Sequence, residues 1–416
     1  MPALQRPRAA ALAARSMNSG AHAWTRRCLV AGQIAISMIL LTGAALLLRS
    51  FRNIEQQDIG MQTQGVLAVR TPLPRYRYTT AQMRMEFFLQ AEQAMRRLPG
   101  VLTVGMSDTL PPAGAHHDQI YSRIAVDGMP GNADGTGGMV TWRWVTPEYF
   151  TSFDIPIIRG QAFTQDERTS SDRLVILSSL LASRLFGSQD PIGKRVQLGE
   201  GPWYTVSGIA ANVKNGGLAG EDEPEYYRLR RNLAEDWNDD AVIVMKTALK
   251  PEAAAPWVRS QIAQLDPTVP VQIDMLSQTV SKLADRPRFE TALLGFFAFC
   301  GLLMAVIGLY GVISFVAMQR TQEIGVRMAL GATRVDILRL IAEEGVRLIF
   351  LGGVFGLGVS LATAQLLKSL LFNVAPRDPA IYASVVLLLA LVALAATLIP
   401  ARAAMKVEPV VALRYE

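Results

Sequence analysis

The sequence predicts a membrane protein, α-helical across the bilayer, with four transmembrane helices (1 + 3) and a mixed α+β extracytoplasmic domain between the first and second. Three observations predict it. Four uncharged apolar runs each have about the 20 residues that cross a bilayer core as a helix. A stretch of 242 residues with ordinary soluble composition, Arg49–Glu290, separates the first run from the other three. Arginines gather in the segments that such a layout puts on one side.

The runs are Cys28–Leu48, Thr291–Met318, Leu348–Leu367 and Ala380–Ile399. Apolar residues make up 50% of the 416-residue chain and charged residues 18%, yet no charge falls inside a run. An unpaired charge at bilayer depth costs several kcal/mol, so its absence favours spanning helices. Buried helices of a large soluble protein rarely lack charge over ~20 residues. The other boundaries follow: an N-terminal segment 1–27, an outer domain 49–290, a loop 319–347, a short outer loop 368–379 and a tail 400–416.

The net charge of +6 raises the possibility of nucleic acid, but its placement points to a lipid bilayer instead. Residues 1–27 hold Arg6, Arg8, Arg15, Arg26 and Arg27 and no acid. The loop 319–347 holds Arg320, Arg327, Arg334, Arg339 and Arg347, and the tail adds Arg402, Lys406 and Arg414. The positive-inside rule then makes these segments and both termini cytoplasmic, in a multi-pass protein. Long translocated domains escape the rule, so the charges of 49–290 carry no information on topology.

Cys28 and Cys300 both fall in apolar runs, so the outer domain holds no internal disulfide and must be stable from its core alone. The first run is too long for a signal-peptide h-region and no small-residue cleavage site follows it. It is expected to stay as an anchor.

Within the outer domain, β-favouring runs recur at 66–69, 101–104, 139–145, 174–177, 204–209 and 241–245. Thr80 is placed to cap a helix with the stripe Met83, Phe87, Ala91, Met95 and Leu98, closed by Pro99-Gly100. A second helix is expected over Pro251–Leu265, and the glycine-rich stretch 128–138 as a flexible loop.

Catalytic constellations are missing from these residues. His116-His117-Asp118 looks ligand-like, but adjacent side chains diverge and no second cluster completes a metal site, so a solvated loop is expected. The stretch Gly187-SQDPI-Gly193-Lys194-Arg195 has five intervening residues where a phosphate loop has four. It also has Arg195 where a magnesium-binding Ser or Thr belongs. No catalytic residue, metal or cofactor is expected.

The sharpest local signal is Glu323-Ile324-Gly325-Val-Arg327-Met328-Ala-Leu-Gly331-Ala332-Thr-Arg334, between the second and third runs. Glu323 and Arg327 are four apart and would face each other on a helix. Ile324, Met328 and Ala332 form an apolar stripe beside them. A following helix, Val335–Arg347, should lead into the membrane, with Asp336 favouring its dipole. On the residues alone, a lipid-surface helix and a partner-docking helix stand level.

EIGVRMALGATR at 323–334, followed by GGVFGLG at 352–358, resembles the FtsX-like permease domain of ABC transporters. VTPEYF (145–150), IPIIRGQAF (155–163) and DPIGKRV (190–196) are similar to the periplasmic core domain of MacB-type permeases. The resemblance covers nearly all of 24–416. It implies that 323–334 is a coupling helix docking on a cytoplasmic ABC ATPase in a bacterial inner membrane. It also implies a second permease unit, from a homodimer or a duplicated partner, and an outer domain that moves with the ATPase cycle. Gly352 and Gly356 have the spacing of close helix packing. Residues before the first run, and LLTGAALLLRSF at 40–51, resemble the linker and second unit of duplicated permeases, so the chain is read as a half or a fragment of one.

The expected function is therefore a non-catalytic permease subunit that turns ATP hydrolysis by a separate subunit into export of a substrate or control of a periplasmic partner. The alternative is an ATP-independent membrane receptor or scaffold with an outer ligand-binding domain. An ATPase-docking loop has no use in the second.

Overall fold

The runs 28–48, 291–318 and 380–399 lie in α-helices that extend beyond them, and the run 348–367 ends in a 3-10 helix over Ala364–Leu370. The computed structural model describes residues 6–112, 117–129, 137–218, 220, 222–238, 240–319, 327 and 333–404. Its contacts divide the chain into two compact units, residues 1–55 with 286–416 and residues 56–285.

In chain order, α1 spans Arg6–Glu55. Residues 56–285 follow, with twelve strands: β1 Val66–Arg70, β2 Val101–Ser107, β3 His117–Ile120, β4 Ile124–Val126, β5 Met139–Val145, β6 Ile157–Gly160, β7 Leu174–Ser178, β8 Arg195–Leu198, β9 Trp203–Ala210, β10 Glu225–Leu229, β11 Val242–Thr247 and β12 Gln272–Met275. The helices among them are α2 Ala81–Arg96, α3 Tyr149–Ser152, α4 Ser179–Phe186, α5 Pro251–Leu265 and α6 Leu276–Leu283. Among the described residues, three long helices follow: α7 Asp285–Gln319, α8 Arg334–Thr363 and α9 Pro379–Ala404. Among the described residues, four helices are long and apolar enough to cross a membrane, within 24–55, 276–319, 345–368 and 379–399.

The strands join one sheet in the order β12-β1-β11-β2-β5-β10-β7-β9-β8-β4, with β3 on β5 and β6 on β9. Each neighbouring pair among the first four strands is antiparallel, so β1 runs parallel to β2 and β11 to β12. They arise from two βαβ pieces, β1-α2-β2 and β11-α5-β12, which is the split βαβ arrangement. Residues 108–241, carrying the rest of the sheet, are inserted between the two pieces. The parallel pairs β5/β10 and β7/β9 lie in that insertion. β2 meets β5 at its end, with Ser107 opposite Val145 and the Thr146 amide donating to the Met106 carbonyl at 3.0 Å.

Three apolar cores hold this unit. One lies between the split βαβ sheet and α2/α5, around Phe88, Met95, Trp237 and Val258. A second surrounds Tyr149, Phe150 and Phe153, and the third lies beneath Leu181 and Phe186 of α4. Thr80 caps α2 by accepting from the Met83 amide at 3.3 Å, a contact worth ~1 kcal/mol. Of the predicted stripe, Phe87, Ala91 and Met95 are buried, whereas Met83 is exposed and Phe88 takes a core place. At Gly60, φ is +76° and a Cβ would lie 2.0 Å from the Asn212 carbonyl oxygen, so only glycine fits.

Residues 117–120 differ from the solvated loop expected of them. They pair with β5 as β3, because His117 stacks on Trp142 with ring centroids 4.4 Å apart and its Nε2 lies 3.0 Å from the Asp108 carboxylate. His116, and residues 130–136 of the expected glycine-rich loop, lie outside the described residues. The stretch 187–194 joins the end of α4 to β8, which reverses the strand-to-helix order of a phosphate loop.

Candidate coupling site in the membrane unit

Of the residues in the sequence-predicted coupling helix, Glu323, Ile324, Gly325, Met328, Gly331 and Ala332 lie outside the described residues. Arg327 is helical and exposed, and Arg334 is the first residue of α8. The described part of the site is therefore α8 and what it is packed against.

α8 starts on a capping box. The Thr333 hydroxyl accepts from the Asp336 amide at 3.4 Å, and the Asp336 carboxylate accepts from the Thr333 amide at 2.9 Å. The Thr333 hydroxyl also donates to Asp336 at 2.6 Å. These bonds from Thr333 hold the Asp336 carboxyl below the usual aspartate range. The cap fixes where the loop ends and the rigid helix begins.

Three glycines then seat α8 against its neighbours. A Cβ on Gly345 would lie 2.5 Å from a methyl of Thr397 on α9. One on Gly352 would lie 2.7 Å from the Ala31 carbonyl oxygen of α1, and one on Gly356 would lie 2.9 Å from the Ala35 Cα of α1. Distances below 3.0 Å to backbone leave no room for a side chain. In lipid, where burial supplies little drive between helices, such backbone approach is what gives dispersion its range. Gly353 and Gly358 have nothing within 4 Å of that position, so the seam uses one face of the glycine-rich segment.

At the other end, the loop between α8 and α9 grips α1. Arg49 pairs with Asp378, the Phe372 amide donates to the Ser50 hydroxyl at 2.8 Å, and the Asn53 amide donates to the Asn373 carbonyl at 3.0 Å. α1 is thus held by α8 along its middle and by the 371–378 loop at its end. α7 is attached differently. The Ser37 hydroxyl of α1 donates to the Gly301 carbonyl at 2.7 Å, and Ala305, Leu309 and Ile313 pack with Val30 and Ile34.

The outer unit holds a buried polar centre of its own. Arg143 of β5 meets Glu225 of β10 at 2.5 Å, and both side chains are 1% exposed. Asn215 accepts from Arg143 at 2.6 Å and donates to Glu225 at 2.9 Å, while the Tyr227 hydroxyl donates to Glu225 at 2.5 Å. Burial opposes the Arg143 charge, but Glu225 beside it prevails and raises its pKa. Both carboxylate oxygens of Glu225 are thereby engaged in a buried structural network. No group of three or more His, Cys, Asp or Glu gathers among the described residues.

Sequence reasoning missed Gly345 and the Arg49–Asp378 pair. Gly345 stands alone without a spaced partner, and the pair is 329 residues apart in sequence.

Comparison with known proteins is consistent across both units. The MacB-like periplasmic core domain matches residues 29–265, and the FtsX-like permease C-terminal domain matches residues 295–409. The chain is 30% identical over 283 residues to the probable syringafactin export ATP-binding/permease protein SyfD of Pseudomonas syringae pv. tomato, covering 65% of this chain and 41% of SyfD. It is 27% identical over 278 residues to the uncharacterized ABC transporter permease YknZ of Bacillus subtilis, covering 64% of this chain and 68% of YknZ. The chain spans less than half the length of the ATP-binding/permease proteins it matches, 41% of SyfD and 44% of the probable export protein MacB of Pseudomonas entomophila. The crystal structure of the periplasmic region of MacB from Actinobacillus actinomycetemcomitans is similar at a TM-score of 0.38 and 11% identity, covering 56% of this chain and 97% of that one.

Proposed function

We infer the function of this chain from its family: it belongs to the permeases that join a MacB-like periplasmic core domain to an FtsX-like permease C-terminal domain. It is the membrane permease part of an ABC-type system. On our reading, a separate cytoplasmic ATPase docks on residues 323–334, in a bacterial inner membrane with both termini inside and residues 49–290 outside. Nucleotide-driven movement of that loop is passed to the outer domain, for export of a substrate or control of a periplasmic partner. A second permease unit completes the assembly.

The observation that carries this reading is the seating of α8 on α1. α8 begins at Arg334, the last residue of the proposed docking segment, and lies on α1 through Gly352 and Gly356. α1 in turn continues directly into the outer domain at residue 56. A push at the start of α8 therefore has a close-packed route to α1, whose chain leads on into the outer domain. The four apolar runs contain no charged residue to line a polar tunnel, which favours transmission of motion over passage of a solute between them.

The test is purification of the full chain from its native membrane. An ABC ATPase should coelute, and Mg-ATP hydrolysis should follow that subunit. Hydrolysis by the rigorously purified chain alone would overturn the reading.

A further inference from the structure

A groove of about 720 Å³ runs between α1, α7 and α9 at the Glu55 end of the membrane unit. Small side chains make the room: Ala44 and Ala45 of α1, Ala292, Gly295 and Ala298 of α7, and Ser384 of α9. Small residues usually let membrane helices close on one another, as they do along α8. Here they leave a gap, and the site of a Cβ on Gly295 has no atom within 4 Å. An apolar gap of this kind forfeits dispersion contacts on every wall unless an apolar chain fills it.

The mouth of the groove is charged in a particular way. Arg288, one of its lining residues, pairs with Glu55 at 3.1 Å, and its guanidinium lies 5.6 Å from the Phe51 ring. Both side chains are about half exposed, at 54% and 44%. They stand just past the ends of the apolar runs 28–48 and 291–318, at the depth of lipid headgroups. A cation and an anion side by side complement a zwitterion.

We propose that this groove is a lipid site for a phosphatidylethanolamine-class phospholipid, with one acyl chain along the small-residue walls, the phosphate on Arg288 and the primary ammonium on Glu55. An anionic phospholipid would satisfy Arg288 and be opposed by Glu55. A choline headgroup carries the positive charge but has no N–H to donate to the carboxylate. A second copy of this chain would fill the apolar walls without bringing a zwitterion to the paired charges of the mouth. The site requires that the helices span a bilayer; it does not depend on ATPase docking.

Native mass spectrometry of the full chain in mild detergent tests this, with phosphatidylethanolamine, phosphatidylglycerol and phosphatidylcholine added in turn. One phosphatidylethanolamine per chain should be retained, about tenfold over phosphatidylcholine, the scale of one charge-assisted hydrogen bond. Gly295→Leu should abolish retention by filling the groove. Glu55→Gln, on the half-exposed rim, leaves the groove open and should bring the two lipids level, so the headgroup assignment is read even where Gly295→Leu fails to fold. Equal retention of all three lipids by the unaltered chain overturns the proposal, as does retention of a second copy in place of lipid.

Discussion

Gly356 of α8 approaches Ala35 of α1 so closely that a Cβ on the glycine would lie 2.9 Å from the Ala35 Cα. Together with Gly352 over the Ala31 carbonyl, it brings the backbones of α1 and α8 into direct contact. The consequences are specific to each glycine.

Gly356→Val should force the two backbones apart and cost about 1–3 kcal/mol, as overpacking does in close-packed interiors. Gly353→Ala, at a position with nothing within 4 Å, should stay within about 0.5 kcal/mol. Thermal unfolding of both variants in detergent measures the difference. Equal stability of the two would deny the seam its role.

Arg143→Met leaves Glu225 as an uncompensated buried carboxylate and should cost about 3–5 kcal/mol. Adding Glu225→Leu should recover part of that loss, because the stranded charge goes with it. Tryptophan fluorescence during urea unfolding reports the outer domain, which holds Trp142, Trp144, Trp203, Trp237 and Trp257. A double variant less stable than the single one would contradict this.

Much of the architecture was legible in the sequence because membrane spans and half-buried strands each have a period. The six β-favouring runs became β1, β2, β5, β7, β9 and β11. The other six strands gave no such signal, for physical reasons. β10 reads Glu-Tyr-Tyr-Arg-Leu, and its glutamate belongs in the core only because it pairs with Arg143 of β5, two residues on from the Thr141 it faces in the sheet. β3 reads His-Asp-Gln-Ile, and it is a strand because Trp142 offers a ring for His117 to stack on. The close packing of α8 on α1 was legible as a pattern of spacing at Gly352 and Gly356. The loop's hold on α1 was not, since Arg49 and Asp378 meet only through the fold.

The segment leading into α2 should loosen at both ends of the pH scale. The Tyr78 hydroxyl donates to Asp266 at 2.8 Å, and burial together with that carboxylate pushes its pKa up to about 12. Its folded value lies above the unfolded one, so this contribution is full below about pH 10 and is lost as pH rises through about 12. Asp266 behaves oppositely. Bonds from Thr268 hold its carboxyl below the usual range, so its contribution is present above the ordinary aspartate value and fades as pH falls through the lowered one. Ultraviolet titration of Tyr78 against a Tyr78→Phe control checks the alkaline limb. A normal tyrosine transition at Tyr78 would refute it.

Cysteine labelling addresses the proposed topology. In a chain with Cys28 and Cys300 replaced by serine, a cysteine at Gly135 should react with an impermeant reagent from outside, and one at Ala329 should not. The reverse pattern would invert the assignment of sides.

The most direct test of the central claim is ATPase binding by a Met328→Asp variant. If residues 323–334 dock in an ATPase groove, with Ile324, Met328 and Ala332 as its anchor, the carboxylate enters a desolvated contact and should cost ~2 kcal/mol or more of association. Arg327→Ala removes an exposed charge at the rim and should cost on the order of 1 kcal/mol or less. Copurification and stimulated ATP turnover read both variants in membranes where each inserts normally. The account predicts loss of ATPase binding and turnover in Met328→Asp with a mild effect in Arg327→Ala. Full binding and turnover by Met328→Asp would contradict it and leave the loop as a helix on the lipid surface.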